Sequence, residues 1–482
     1  MVFSLAGQVA PGATAVVVLP LLARGFGDER LGVLAIIWAA VGYFSLLDAG
    51  LGRALTHVVA SRGHGGGEDG LPAIVRAAWV GLGGLGLLAG AAIAWAAPWL
   101  ATVLLNLPEG LIGEVERTLC LVGAIVPLLT LAVGARAVLE ARHRFDLVNA
   151  VRVPLGVATY AGPALVLPFT TSLVAAVAVL VAARLAALLA FLWLAVREIP
   201  QVLAPGGRSG AVLGEFVRAS AWMTLANVAG SVLVYVDRVV VGALVPVAAL
   251  AHYAAPVELL TRFAVVPAAL GAVIFPSFSV AHRGHPTLLA GLFARGVGYV
   301  FLGLFPPALL AATFAPELLA TWFGPRYVEP GTPVVRWCAA GLLINGLALV
   351  PFALLQAGGR ARLTAIVQAV EVPLYVVTLV WLTRRDGIVG AAVAGTLRIG
   401  VDALLLFGAS SRLLPNRQGV GLAAGLGLAG VACVGVATIP AGVPARIGFA
   451  AGMLVAVAGL ATRVFRPRAW TSLSWVWRWY RT

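Results

Sequence analysis

The chain has 482 residues, of which 61% are hydrophobic and only 11% charged, and its mean hydropathy is +1.00. Soluble proteins carry about a quarter charged residues, so this composition excludes a soluble globular fold. The net charge of +14 comes from arginine alone, because lysine is absent; arginines scattered without a compact basic face read as topology signals and lipid contacts, not as a nucleic-acid surface.

A helix needs ~20 apolar residues to cross a hydrocarbon core about 30 Å thick, and its backbone must bond internally there. The alternating ten-residue pattern of barrel strands is missing, so the spans are helices and the fold class is an all-α polytopic membrane protein. Fourteen spans are predicted: 2–23, 31–59, 72–99, 117–139, 147–168, 172–196, 216–243, 248–280, 288–314, 333–356, 363–383, 387–409, 419–439 and 446–463. No cationic segment precedes the first, so Val2 to about Leu22 reads as a span and not as a cleaved signal. The third, with Gly86 and Gly90, and the thirteenth, with Gly421 and Gly425, have the small-residue spacing that lets helices approach closely.

The loop from Arg197 to Gly214 contains Pro200, Pro205, Gly206 and Gly207 and divides the chain. Six spans precede it, six follow, and a pair remains, which suggests a parallel repeat. The expected organisation is an N-lobe at 1–197, a cytoplasmic linker at 198–214, a C-lobe at 215–410 and two extra helices at 411–463. Residues 464–482 form a tail in which Trp470, Trp475, Trp477 and Trp479 stand among arginines, the composition of an interfacial anchor. With the N-terminus inside, eighteen arginines, among them Arg142, Arg144, Arg152 and Arg197, fall on the inner side, against eight, such as Arg24, Arg30, Arg117 and Arg446, on the outer. That bias predicts both termini cytoplasmic.

Several chemistries are absent from the sequence. Without lysine there is neither the phosphate-binding loop that depends on one nor a Schiff-base enzyme. Gly81, Gly83 and Gly86 match G-x-G-x-x-G, but inside an apolar helix with no preceding strand, where the spacing serves packing. Cys120, Cys338 and Cys433 lie in apolar stretches without paired spacing, and neither H-E-x-x-H, a paired C-x-x-C nor D-x-D occurs. No metal site, no cofactor and no enzymatic activity are therefore expected.

What remains are charges at membrane depth: Asp48, Arg53, Arg184, Asp237, Arg238, Glu258, Arg262, Glu371, Arg398 and Asp402. Facing lipid at ~2.5–3.5 kcal/mol each, the set would cost roughly 25–35 kcal/mol, more than a fold's whole stability of ~5–15. Most must pair or face a polar cavity. Glu258 precedes Arg262 by four residues and Arg398 precedes Asp402 by four, so each pair shares a helix face, either as an internal ion pair or around a ligand. Arg184, Arg262, Arg398 and Glu371 lie nearest mid-span, whereas Arg53 stands close enough to a helix end to snorkel. Asp237 and Arg238 point about 100° apart, so one of them is expected to bond to another helix. Guanidinium forks suit phosphate oxygens, and carboxylates at that depth suit proton or cation coupling or hold the arginines in place. Five acids against five arginines leave the sign of the cavity open.

The run Tyr235–Gly242 (YVDRVVVG), followed by Tyr253, the Glu258/Arg262 pair and Phe275-Pro276, resembles lipid-linked oligosaccharide flippases. These polysaccharide-unit exporters belong to the multidrug/oligosaccharidyl-lipid/polysaccharide exporter superfamily. Leu46–Leu55 (LLDAGLGRAL) and Trp322–Tyr327 (WFGPRY) are similar to the same family. The resemblance implies two six-helix lobes around a central cavity, plus two extra helices. It implies that a polyprenyl-diphosphate-linked sugar unit passes through the cavity while its lipid tail stays in the bacterial cytoplasmic membrane. On that basis Arg53, Arg262 and Arg398 would contact the diphosphate. Asp48, Asp237, Glu258 and Glu371 would position those arginines or bind a coupling ion, H+ or Na+. Other glycan-assembly membrane proteins are expected partners. Cavity cations in such exporters often include lysine, so here the role falls to arginine. The alternatives are a multidrug/cation antiporter of the same superfamily, a peptidoglycan lipid-precursor flippase, and a membrane glycan polymerase or ligase.

Overall fold

The computed structural model describes residues 2–63, 71–105, 107–203, 232–281, 286–415, 418–439 and 442–464. All regular secondary structure among them is helical. The helices are α1 (Val2–Gly63), α2 (Leu71–Trp99), α3 (Glu109–Ala141), α4 (Phe145–Val166), α5 (Leu173–Glu198), α6 (232–244) and α7 (Val247–Thr261). They continue with α8 (Val265–Ala281), α9 (Pro286–Thr313), α10 (Ala315–Trp322), α11 (Val328–Ala357), α12 (Ala361–Ser410), α13 (Gln418–Val436) and α14 (Val443–Val464). Among the described residues nine helical segments are long and apolar enough to cross a membrane.

Two of these elements carry two expected spans each. At 1.5 Å per residue α1 is about 93 Å long and α12 about 75 Å, far more than a bilayer core of about 30 Å admits in one crossing. Each is broken at a single glycine, Gly27 (φ 76°) in α1 and Gly387 (φ 60°) in α12. Only a residue without Cβ enters that left-handed region without strain. The charged stretches around Asp28 and Asp386 read in the sequence as loops, but helix runs up to the glycine on both sides. The expected span 248–280 runs as one helical segment, Val247–Ala281, in which a 3-10 turn at Arg262–Ala264 joins α7 to α8.

The described residues gather into two compact units, Met1–Ala255 with Leu379–Ile388, and Pro256–Thr378 with Val389–Thr482. In the first, α2 and α3 touch backbone to backbone. A Cβ added to Gly123 would stand 2.6 Å from the Gly90 carbonyl oxygen, so the small-residue stripe predicted on α2 finds its partner on α3. The Thr56 hydroxyl donates to the Ala137 carbonyl at 3.3 Å and sets α1 along α3. Leu55, Val59, Val75, Val138 and Phe191 close a tight core at that end of the bundle.

Charged clamps hold both ends of this unit. At one, Arg144 bridges Glu198 (2.6 Å) and Asp146 (3.3 Å), tying the α3–α4 corner to the end of α5. At the other, Glu114 accepts from Arg30 (3.0 Å) and from the Leu173 backbone N–H (2.6 Å), which anchors α1 and the start of α5 to α3. The second unit is built on α11, the most buried of the long helices. Thr396 on α12 donates to the Trp337 carbonyl (3.0 Å), and Ala348 and Leu355 pack against Ala403 and Leu406. Arg446 on α14 clamps Glu317 on α10 with contacts of 2.5 and 3.2 Å.

Candidate functional site

The second unit brings three of the predicted charges together. Glu371 is almost fully buried on the first half of α12, and the Arg398 guanidinium on the second half lies 4.0 Å from its carboxylate. Asp402, one turn beyond Arg398, brings a second carboxyl near Glu371, so the pair expected within one helix becomes a group of three charges across the Gly387 break. Arg398 also lies over the Tyr375 ring at 5.3 Å, and its Nε has no hydrogen-bond partner. This guanidinium is aimed by a carboxylate at ion-pair distance and by a ring face, with a donor left uncommitted.

Glu258 and Arg262 form the internal ion pair that their spacing predicts. Arg262 begins the 3-10 turn between α7 and α8, so the pair sits where the helix tightens for one turn. Both side chains remain partly open, at 20% and 25% exposure.

Asp237 and Arg238 are buried in the first unit. Arg238 folds back onto Asp237 (3.0 Å), and the Tyr253 hydroxyl on α7 donates to the other Asp237 oxygen at 2.7 Å. The interhelical bond expected of this neighbouring pair is thus made by Asp237. Asp237 thus holds its neighbour Arg238, and both of its oxygens are taken. Asp48 and Arg53 lie on α1 beside the stretch where Gly52 packs on Val133; their side chains are outside the described residues.

The first unit also contains an open cavity of about 380 Å³ that the predicted site does not include. Arg136 of α3, Arg152 of α4 and Arg184 of α5 line it, with Asn149, Ser45 and Thr159. Arg184 was legible as a mid-span charge. Arg136 and Arg152 were not, because each stands close to the α3–α4 corner, where an arginine reads as a topology signal.

Long apolar helices in two units, with charged side chains gathered at membrane depth, define a multi-pass membrane protein. The chain is similar over nearly its whole length to the solved lipid II flippase MurJ in an inward closed conformation (TM-score 0.71, 11% identity, covering 96% of this chain and 99% of that one). It is similar too to an inward-facing multidrug resistance MATE family transporter of the MOP superfamily (TM-score 0.68, 12% identity, 85% and 98%). Among curated proteins, the one from Shigella flexneri named "Putative O-antigen transporter" is 27% identical over 420 residues, 84% of this chain and 95% of its own length. Residues 2–282 match the model of the family described as "Polysaccharide biosynthesis protein", and the chain belongs to that family.

Proposed function

We propose that this transporter is a flippase that moves a polyprenyl-diphosphate-linked oligosaccharide repeat unit across the bacterial cytoplasmic membrane by alternating access. The observation that carries the reading is Arg398, a guanidinium at membrane depth that Glu371 and Tyr375 aim without saturating. A diphosphate with several sugars cannot pass hydrocarbon unaided, since every charge and hydroxyl would lose its hydration. A guanidinium replaces that hydration with paired N–H donors that match phosphate oxygens. Family membership and the Shigella relative support a glycan cargo.

In this mechanism the lobes at 1–197 and 215–410 rock about the cargo, while residues 411–463 add two helices and both termini face the cytoplasm. Arg53, Arg262 and Arg398 contact the diphosphate. Glu258 holds Arg262 and Glu371 holds Arg398, so each guanidinium meets its ligand already oriented. Asp48 serves the same end or, with Glu371, binds H+ or Na+ as the coupling ion. A second carboxyl, Asp402, near Glu371 supports that second role, because carboxylates at membrane depth suit proton or cation coupling.

The experiment is complementation of a gene deletion with wild type, Arg262→Ala or Arg398→Ala at matched membrane levels. Surface glycan and lipid-linked precursor on the inner leaflet are read together. Lost surface glycan with complete trapped precursor in an arginine variant supports the reading. Unchanged glycan with raised drug sensitivity would make the protein an antiporter instead, and unpolymerised units on the outer face would make it a polymerase or ligase.

A further inference from the structure

From the cavity inside the first unit we infer that this chain has a second anion site, built for a phosphate-class oxyanion by Arg136, Arg152 and Arg184. The site shares no residue with the Arg398 triad and does not depend on which glycan is transported.

The helices arrange these arginines as a ladder. The Arg144–Glu198 bridge places the end of α3, the start of α4 and the end of α5 together. Counted from that end, Arg136 is five residues in, Arg152 seven and Arg184 fourteen. At 1.5 Å per residue they stand about 7, 10 and 21 Å deep. The backbone positions of the three arginines thus run from the clamped end to the middle of the lobe.

Two of the three charges are not balanced locally. Arg136 has Glu140 at 3.1 Å, one turn along α3. Neither Arg152 nor Arg184 has an ion-pair partner among the described residues, and no carboxylate is among the residues lining the cavity. Arg152 is exposed, so it makes the accessible end. Arg184 is the opposite case, with 5% exposure and no hydrogen-bond partner at Nε or at one terminal nitrogen. A guanidinium buried at mid-lobe with open donors is costly unless an anion meets it.

The rest of the lining fits an acceptor-rich guest. Ser45 and Thr159 donate their protons to the Val41 and Leu155 carbonyls, which leaves the guanidiniums and the Asn149 amide as the inward donors. Planar forks at several depths match the oxygens of a tetrahedral oxyanion better than a single spherical ion. The volume of 380 Å³ holds such a group and falls at the small end of ligand pockets, about 300–1,000 Å³. One chemistry has two sources here: a free phosphate or diphosphate, or the phosphate of a lipid headgroup that enters beside Arg152.

The test uses the purified full chain. Calorimetric titration with inorganic phosphate and diphosphate in uncharged detergent forms one arm. The other is native mass spectrometry of protein released from nanodiscs of phosphatidylglycerol or of phosphatidylcholine. We expect saturable binding in one arm, weakened at least tenfold in Arg184→Gln and more mildly in Arg152→Gln. Binding of the soluble ions identifies a free oxyanion, and retention of phosphatidylglycerol alone identifies a headgroup. Arg152→Gln alters an exposed side chain and keeps the test open if Arg184→Gln fails to fold. Absence of binding in both arms, wild-type binding by the folded variants, or equal displacement by chloride at matched ionic strength would overturn the inference.

Discussion

Replacing Arg398 with glutamine separates the two things that its triad could be doing. At 4.0 Å from Glu371 and an effective dielectric of ~20, the Coulomb attraction is about 4 kcal/mol. The Tyr375 face adds roughly 0.5–2 kcal/mol. Without the guanidinium, Glu371 and Asp402 face each other with no cation, and Arg398→Gln is expected to destabilise the fold by about 3–5 kcal/mol. Glu371→Gln alone leaves Arg398 with Asp402 four residues on, a loss of about 1 kcal/mol at most. The double variant relieves the carboxylate clash and recovers on the order of 2 kcal/mol of the single variant's loss. Equilibrium unfolding in mixed micelles measures all four corners of this cycle, and glycan export in deletion cells is measured beside it. The expected outcome is that the double variant regains stability but not export. Recovery of both would make Arg398 a brace with no contact to cargo, and strict additivity of the two substitutions would refute the triad itself.

Tyr253→Phe removes the 2.7 Å bond to buried Asp237 and should cost about 1–3 kcal/mol in the same unfolding assay, whereas Asp237→Asn, which strands buried Arg238, should cost about 3–5 kcal/mol. Gly123→Val puts side-chain atoms into the Gly90 carbonyl; an overpacking loss of about 1–3 kcal/mol or more is expected, visible as a falling yield of monodisperse protein, and the same change at Gly110, which has open space, should leave yield unchanged. Burial acts to raise the Glu317 carboxyl, but the Arg446 hydrogen bond outweighs it and holds the group below the ordinary carboxylate range. A depressed folded-state value stabilises above the unfolded value of about 4.3, and the benefit vanishes as pH falls through the folded one. Wild type should therefore lose stability relative to Glu317→Gln as pH falls below about 4.3 in a thermal-melt series, and a difference that stays constant with pH would count against the clamp.

Much of this architecture is legible in hydropathy, because a span must be apolar along its whole length and a loop need not be. Where the prediction and the structure part, the cause is local. Asp28 to Arg30 and Arg384 to Asp386 have the charge of loops, yet one glycine makes each turn and the charges ride on helix ends. The charged sites divide along the same line. Glu258 with Arg262 was readable from spacing, since both partners lie on one helix. Glu371 as partner of Arg398 was not, since spacing carries no information about which helix stands opposite. Arg136 and Arg152 escaped for another reason. Within about 10 Å of a helix end an arginine has a ready explanation in snorkelling, and only packing shows that these two line a shared cavity. Asn149 three residues before Arg152, on one face of α4, was the available hint.

The single-residue turns at Gly27 and Gly387 bear on how the chain is made. Spans that share a loop of ordinary length can leave the translocation channel one after another, each choosing its orientation from its own flanking charges. Here the two halves of α1 have no spare chain between them, and neither do the two halves of α12. Each pair must enter the bilayer as a closed hairpin. A change that stiffens the turn would then cause its damage during biogenesis, before any cargo or ion is met.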